Sequence, residues 1–144
     1  MTRLALGCLA LLACSGKDTH SQGPAYTPAA AQELAVLAPS CELGAGTGTV
    51  REIRTCKGNH ATAIISLDAK RHLVKLEIQV NSWTTKLAKD RLDRALGPIL
   101  ARPVLAKLGE GLGQPVSEGT LEGVTFRTTK SADDFAHYEL TLTW

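Results

Sequence analysis

Residues 61–144 change hydrophobic period twice, and that change limits the folds open to the chain more than any other feature. Ala61, Ala63, Ile65 and Leu67 alternate with Thr62, Ile64, Ser66 and Asp68. His72, Val74, Leu76, Ile78 and Val80 alternate with Leu73, Lys75, Glu77, Gln79 and Asn81. A period of two puts each set on one face of a strand. Asp68-Ala69-Lys70-Arg71 joins the two runs as a tight turn, which predicts an antiparallel hairpin. The period then lengthens. Leu87, Ala88, Leu92, Ala95, Leu96 and Ile99 recur at steps of three and four, with Lys86, Lys89, Asp90, Arg91, Asp93 and Arg94 on the other face. That is an amphipathic helix, with Ser82, Thr84 or Thr85 available as its cap. Gly97-Pro98 and Pro103 interrupt it, so a broken second helix is expected to Leu108, ended by Gly109. Alternation returns with Val124 and Phe126, and again with Ala136, Tyr138, Leu140, Leu142 and Trp144; Lys130 to Asp134 supplies the turn between them.

Upstream the pattern is weaker. Residues 49–56 read as a poor strand, because Val50 and Ile53 fall on opposite faces. Thr27-Pro28 opens a short helix over residues 29–38, with Leu34, Leu37 and Ala38 on one face and Pro39 as its stop. The expected fold is therefore α+β: a two-layer sandwich of about five mostly antiparallel strands, in the order α-βββ-α-ββ, packed on one main helix. Residues 28–144 make the single domain, with its core in 41–144. With 4% aromatic residues, Leu, Ile and Val must fill that core.

The first residues carry a different signal. One basic residue, Arg3, precedes an uncharged run from Leu4 to Ala13, followed at once by Ser15, Gly16, Lys17 and Asp18. A membrane-crossing helix needs about 20 apolar residues, and this run has the length of a signal-peptide core. Leu11-Leu12-Ala13-Cys14 resembles the lipobox of bacterial lipoproteins: an apolar residue at −3, a small residue at −1 and Cys at +1. The rival match Ala5-Leu6-Gly7-Cys8 leaves too short an apolar run ahead of its cysteine. The resemblance covers only the first 15 residues or so. It implies a signal peptide at 1–13, a lipidated Cys14 and a palmitate-type anchor in the bilayer of the cell envelope. The protein would then face the periplasm or cell exterior. In that family Ser15, where Asp favours inner-membrane retention, leans towards the outer membrane. Residues 14–27 then read as a flexible tether of small and polar residues.

With Cys8 removed and Cys14 lipidated, Cys41 and Cys56 remain as an even pair in an exported chain, which favours a disulfide. A zinc site from Cys41, Cys56, His60 and His72 is the alternative. It lacks the second half of a metal-ligand pattern, so neither metal nor cofactor is expected. Gly44-Ala45-Gly46-Thr47-Gly48 is no phosphate loop, because the Gly-Lys-Ser/Thr ending is missing.

The sequence has no His-Glu-x-x-His, no Gly-x-Ser-x-Gly and no Ser-x-x-Lys leading to the other penicillin-binding elements. Asp90 and Asp93 stand among Lys89, Arg91 and Arg94 and read as helix ion pairs; Asp133-Asp134 reads as turn chemistry. A net charge of +2 gives no argument for nucleic acid. The expected function is a non-enzymatic binding or accessory module for an envelope protein or ligand, with its surface where Ile64, Leu73 and Phe135 break the polar sheet face, beside His137. The alternatives are a small envelope enzyme or metal-dependent hydrolase using His60, His72 or His137, and a structural subunit of an envelope complex.

Overall fold

A computed structural model describes residues 22–82, 84–131 and 136–144. In chain order its elements are α1 (Pro28–Leu37), β1 (Ser40–Ala45), β2 (Glu52–Lys57), β3 (Ala61–Leu67), β4 (Leu73–Ser82), α2 (Thr85–Leu96), α3 (Arg102–Gly111), β5 (Val116–Leu121), β6 (Val124–Lys130) and β7 (Ala136–Thr143). Among the described residues the seven strands form one sheet in the order β1-β2-β3-β4-β7-β6-β5. Every neighbouring pair is antiparallel. Two meanders, β1 to β4 and β5 to β7, are thus joined at the centre where β4 pairs with β7.

This corrects the expectation of a five-strand sandwich on one main helix. The two additional strands, β1 and β5, are the sheet edges. All six residues of β1 are exposed, and β5 alternates only between exposed and half-buried positions. Neither therefore needs the apolar alternation that marks a strand with a buried face. The broken second helix is a separate element, α3, with Val104 and Leu108 buried. Pro103 falls in its first turn, where the missing N–H costs nothing. The same logic sets α1: Thr27 Oγ1 accepts the backbone N–H of Ala30 at 3.2 Å, and Pro28 occupies the first turn.

The helices share one face of the sheet. Ala30 and Leu34 of α1, Ala88, Leu92, Ala95 and Leu96 of α2, and Val104 and Leu108 of α3 bury against it. From the sheet come Ala63, Ile65 and Leu67, Leu76, Ile78 and Val80, Val124 and Phe126, and Tyr138, Leu140 and Leu142. Each fully buried large aliphatic side chain contributes about 1.5–3 kcal/mol, so this aliphatic layer is the principal stabilising term. The opposite face carries Thr62, Gln79, Glu139 and Thr129 in one row across the strands and Thr55, Ile64, Glu77, Thr141 and Arg127 in the next.

Two details depart from simple alternation. The β3–β4 register shifts between Ser66 and Leu67, so Ser66 pairs with Lys75 but Leu67 with Leu73. This bulge turns Leu73 into the core, 1% exposed, and leaves Val74 half-buried. The expected phase, with His72 and Val74 inward, is thereby reversed at the start of the strand. The other detail is upstream of α1. Leu73 N–H donates to the Pro24 carbonyl, and Tyr26 N–H donates to the Arg71 carbonyl, both at 2.9 Å. A Cβ at Gly23 would lie 1.9 Å from the Leu73 carbonyl oxygen and 3.0 Å from the Trp144 ring. Residues 22–27, expected in the tether, are thus part of the folded body.

Candidate functional site

A concavity of about 800 Å³ among the described residues is an open groove at one end of the sheet. Its walls are α1 and α2, and its end is the β2–β3 turn. Pro39 and Ser40 end the α1 wall. Gly58 is required in the turn: a Cβ there would sit 2.4 Å from the Leu37 carbonyl oxygen, so the turn closes tightly on the end of α1. On the other wall, Thr84 caps α2 by accepting the Leu87 N–H at 3.1 Å. The Arg91 guanidinium donates to the Asn81 carbonyl at 3.2 Å, fixing α2 to the end of β4.

The groove is apolar inside and charged outside. Val36 and Leu37 line one wall, Leu87 and Ala95 the other. Val36 is 68% exposed and Leu87 43% exposed, large values for aliphatic side chains beside an otherwise closed core. Lys57, Arg91 and Arg94 stand with Glu33 and Asp90 around them, and His60 projects from the turn. Volume, apolar lining and a few charged groups are the usual make-up of a small-molecule or peptide site. Val36 lies off the expected apolar stripe of α1, and the sequence analysis did not single it out; an extra aliphatic residue outside a buried face is the one signal by which the groove could have been found.

On the open sheet face, His137 is the most connected polar residue. Its Nδ1 lies 2.5 Å from Asn81 Oδ1 and its Nε2 lies 3.3 Å from Glu139 Oε1. The Gln79 amide donates to the same carboxylate oxygen at 3.5 Å. His60 belongs to the same end of the sheet, where its carbonyl accepts the Asn81 N–H at 2.8 Å. His72 is at the other end of β4, its Nδ1 3.8 Å from Asp68 Oδ1. Nine residues of strand, about 30 Å at the usual rise, separate it from Asn81. The three histidines therefore do not converge. Among the described residues no group of three His, Cys, Asp or Glu side chains is arranged to hold a metal ion.

Of the remaining expected residues, Ile64 is half-buried on the open face, opposite Thr55 and Glu77. Leu73 is in the core and contributes nothing to that surface. Cys14 and Phe135 lie outside the described residues. Cys41 and Cys56 are bonded, with an S–S distance of 2.04 Å, and sit directly opposite each other on β1 and β2. The disulfide thus answers the pairing expected from the cysteine count and excludes both sulfurs from a zinc site.

Two further electrostatic features lie away from the groove. Burial raises the Tyr26 hydroxyl above its ordinary pKa, partly opposed by Arg54 and Arg71, whose guanidiniums stand 5.7 and 6.0 Å from its ring centre. Burial alone would raise the Asp68 carboxyl too. The backbone N–H groups of His72 and Lys70 on Oδ1, with the His72 ring nearby, outweigh that and hold it below its ordinary value. Both groups serve local structure at the β3–β4 turn. Arg71 adopts a left-handed φ of 62° there.

No family model, curated protein or solved structure matches this chain.

Proposed function

We propose that the chain is a lipid-anchored protein of the bacterial envelope, held by Cys14, whose groove between α1 and α2 binds a ligand or partner protein without chemistry. The observation that carries the binding half is the groove itself: aliphatic side chains exposed on both walls, ringed by charges of both signs. The lipobox carries the anchoring half. The topology makes the two compatible. Residues 22–26 join the sheet beside the start of β4, whereas the groove opens beside the end of β4. The described chain thus enters the domain beside one end of β4 and the groove opens beside the other, about 30 Å along the strand at the usual rise, so an anchor upstream of residue 22 and an open groove are compatible.

The hydrolase reading on His60, His72 and His137 has weaker support, because one of the three stands at the opposite end of the sheet from the others. The anchor is tested by mass spectrometry of the membrane-extracted chain beside a Cys14→Ala variant. The expected result is an acyl mass on Cys14 in the first and none in the second; an uncleaved, unacylated wild-type chain overturns it. The groove is tested by placing a photo-crosslinking residue at Val36, and separately at Val116 on the far edge, in the native envelope. A discrete adduct from position 36, lost on Leu87→Glu, supports binding there. No adduct from position 36, or the same adduct from 116, overturns it.

A further inference from the structure

We infer that β1 is a self-association edge, pairing antiparallel with β1 of a second copy about an axis through Leu43. The argument begins with the direction of backbone groups. Gly46 N–H donates to the Arg51 carbonyl at 3.4 Å, in register with the β1–β2 ladder. Antiparallel ladders alternate, so Glu42 and Gly44 also turn their N–H and C=O groups towards β2. Cys41, Leu43 and Ala45 turn theirs outward. Among the described residues no strand lies beyond β1, and every β1 side chain is exposed.

Sheet edges left open in this way are ordinarily blunted by lysine, proline, a bulge or a covering segment. β1 has no lysine, proline or bulge and no covering segment among the described residues, and its one charge is Glu42: it is Ser-Cys-Glu-Leu-Gly-Ala in unbroken register with β2. The Cys41–Cys56 bridge also holds it in the extended form, so little ordering remains to be lost on pairing.

Self-complementarity singles out a second copy as the occupant. Only residues with outward groups can bond across the new seam. Centring on Leu43 sets Leu43 against Leu43 of the other copy, and Cys41 against Ala45. Every outward N–H and C=O of these residues is then matched. Leu43, 67% exposed in one copy, meets its own equivalent. Glu42 falls opposite Gly44. Shifting the centre to Glu42 would leave Ala45 unpaired and set two carboxylates face to face, which disfavours a pair directly opposite on a sheet. One register is therefore favoured both by bond count and by charge.

The test is sedimentation of the full chain in density-matched detergent over a range of concentrations, with variants. Leu43→Pro removes an outward N–H and no β1–β2 bond, a substitution that sheet edges tolerate. It should weaken association by roughly tenfold or more, since both bonds at the axis are lost. Leu43→Lys and Leu43→Glu should each weaken it alone and restore it when mixed. Val116→Lys, on the opposite edge, should leave it unchanged. A wild-type chain that stays monomeric throughout overturns the inference, as does association that survives Leu43→Pro or fails with Val116→Lys. A mixture of the Lys and Glu variants that stays monomeric also overturns it.

Discussion

The two edges of the sheet solve the same problem in different ways. β1 touches only β2 within the sheet and is fastened covalently through Cys41 and Cys56. β5 has no covalent tie; α3 leans on it, with Gly111 so close that a Cβ would lie 2.5 Å from Ser117 Oγ. Their outward groups differ as well. The β5–β6 ladder runs through the Lys130 N–H bond to the Pro115 carbonyl, so Val116, Glu118 and Thr120 face outward. The central outward residue is Glu118 on β5 and Leu43 on β1. Two copies of β5 would meet carboxylate to carboxylate, whereas two copies of β1 meet leucine to leucine. Among the described residues, the edge fixed by packing thus carries a charge at its centre, and the edge fixed by a disulfide carries a leucine there with no strand beyond it.

The largest effect expected is from cutting the covalent fastening. Replacing Cys41 and Cys56 by Ser releases a loop closed over 15 residues and should lower stability by about 3 kcal/mol on the chain-entropy argument. Urea unfolding reads the loss, and hydrogen exchange locates it: the Glu42 and Gly44 amides should exchange faster while those of Ser117 and Gly119 hold. Equal acceleration at both edges would remove the distinction drawn here.

The next effect is from the packed edge. Gly111→Ala forces α3 away from the Ser117 side chain and should cost about 1–3 kcal/mol, the usual range for overpacking. Exchange should now rise at Ser117 and Gly119, with Glu42 and Gly44 unaffected.

The β3–β4 turn belongs to neither edge and calibrates both. Asp68→Ala removes the acceptor for two backbone N–H groups and should cost about 1 kcal/mol at neutral pH. The folded Asp68 carboxyl is held below its unfolded value, so the folded state takes up this proton less readily. Its contribution is full above the ordinary carboxylate pKa and fades as pH falls through the folded value. Urea midpoints of wild type and variant should therefore converge on acidification below the usual carboxylate range. A gap that stays constant at low pH would assign the loss to shape alone.

The smallest effect is at the β5–β6 turn, where Glu122 and Gly123 both have positive φ, 51° and 78°. That two-residue geometry favours Asn-Gly, so Glu122→Asn should add about 0.5 kcal/mol, read as a higher urea midpoint. The gain should appear at β5 and leave β1 exchange unchanged.

The same contrast explains how far the sequence was legible. α1 announces itself through Thr27, Pro28 and Pro39, and β7 through Tyr138, Leu140 and Leu142, because caps and buried faces leave a periodic trace. β1 and β5 leave none, since an edge strand beyond the helices buries little and its side chains answer to solvent. The bulge at the start of β4 is equally silent: Leu73 and Val74 are both apolar, and only the pairing with Leu67 decides which turns inward. The disulfide followed from counting cysteines. The groove did not, because Val36 and Leu87 are distant in sequence and share a site only once α1 packs on α2.

The strand order carries one more consequence, for the way the sheet is assembled. β7 is the latest strand in sequence but occupies an inner position, between β4 and β6. Until β7 is in place, nothing in the described sheet joins β4 to β6, because the two strands meet only through it. Pairing across such a sequence gap is slow relative to local hairpins. Before that pairing forms, the inner margins of β4 and β6, more than the finished borders, are exposed to mispairing.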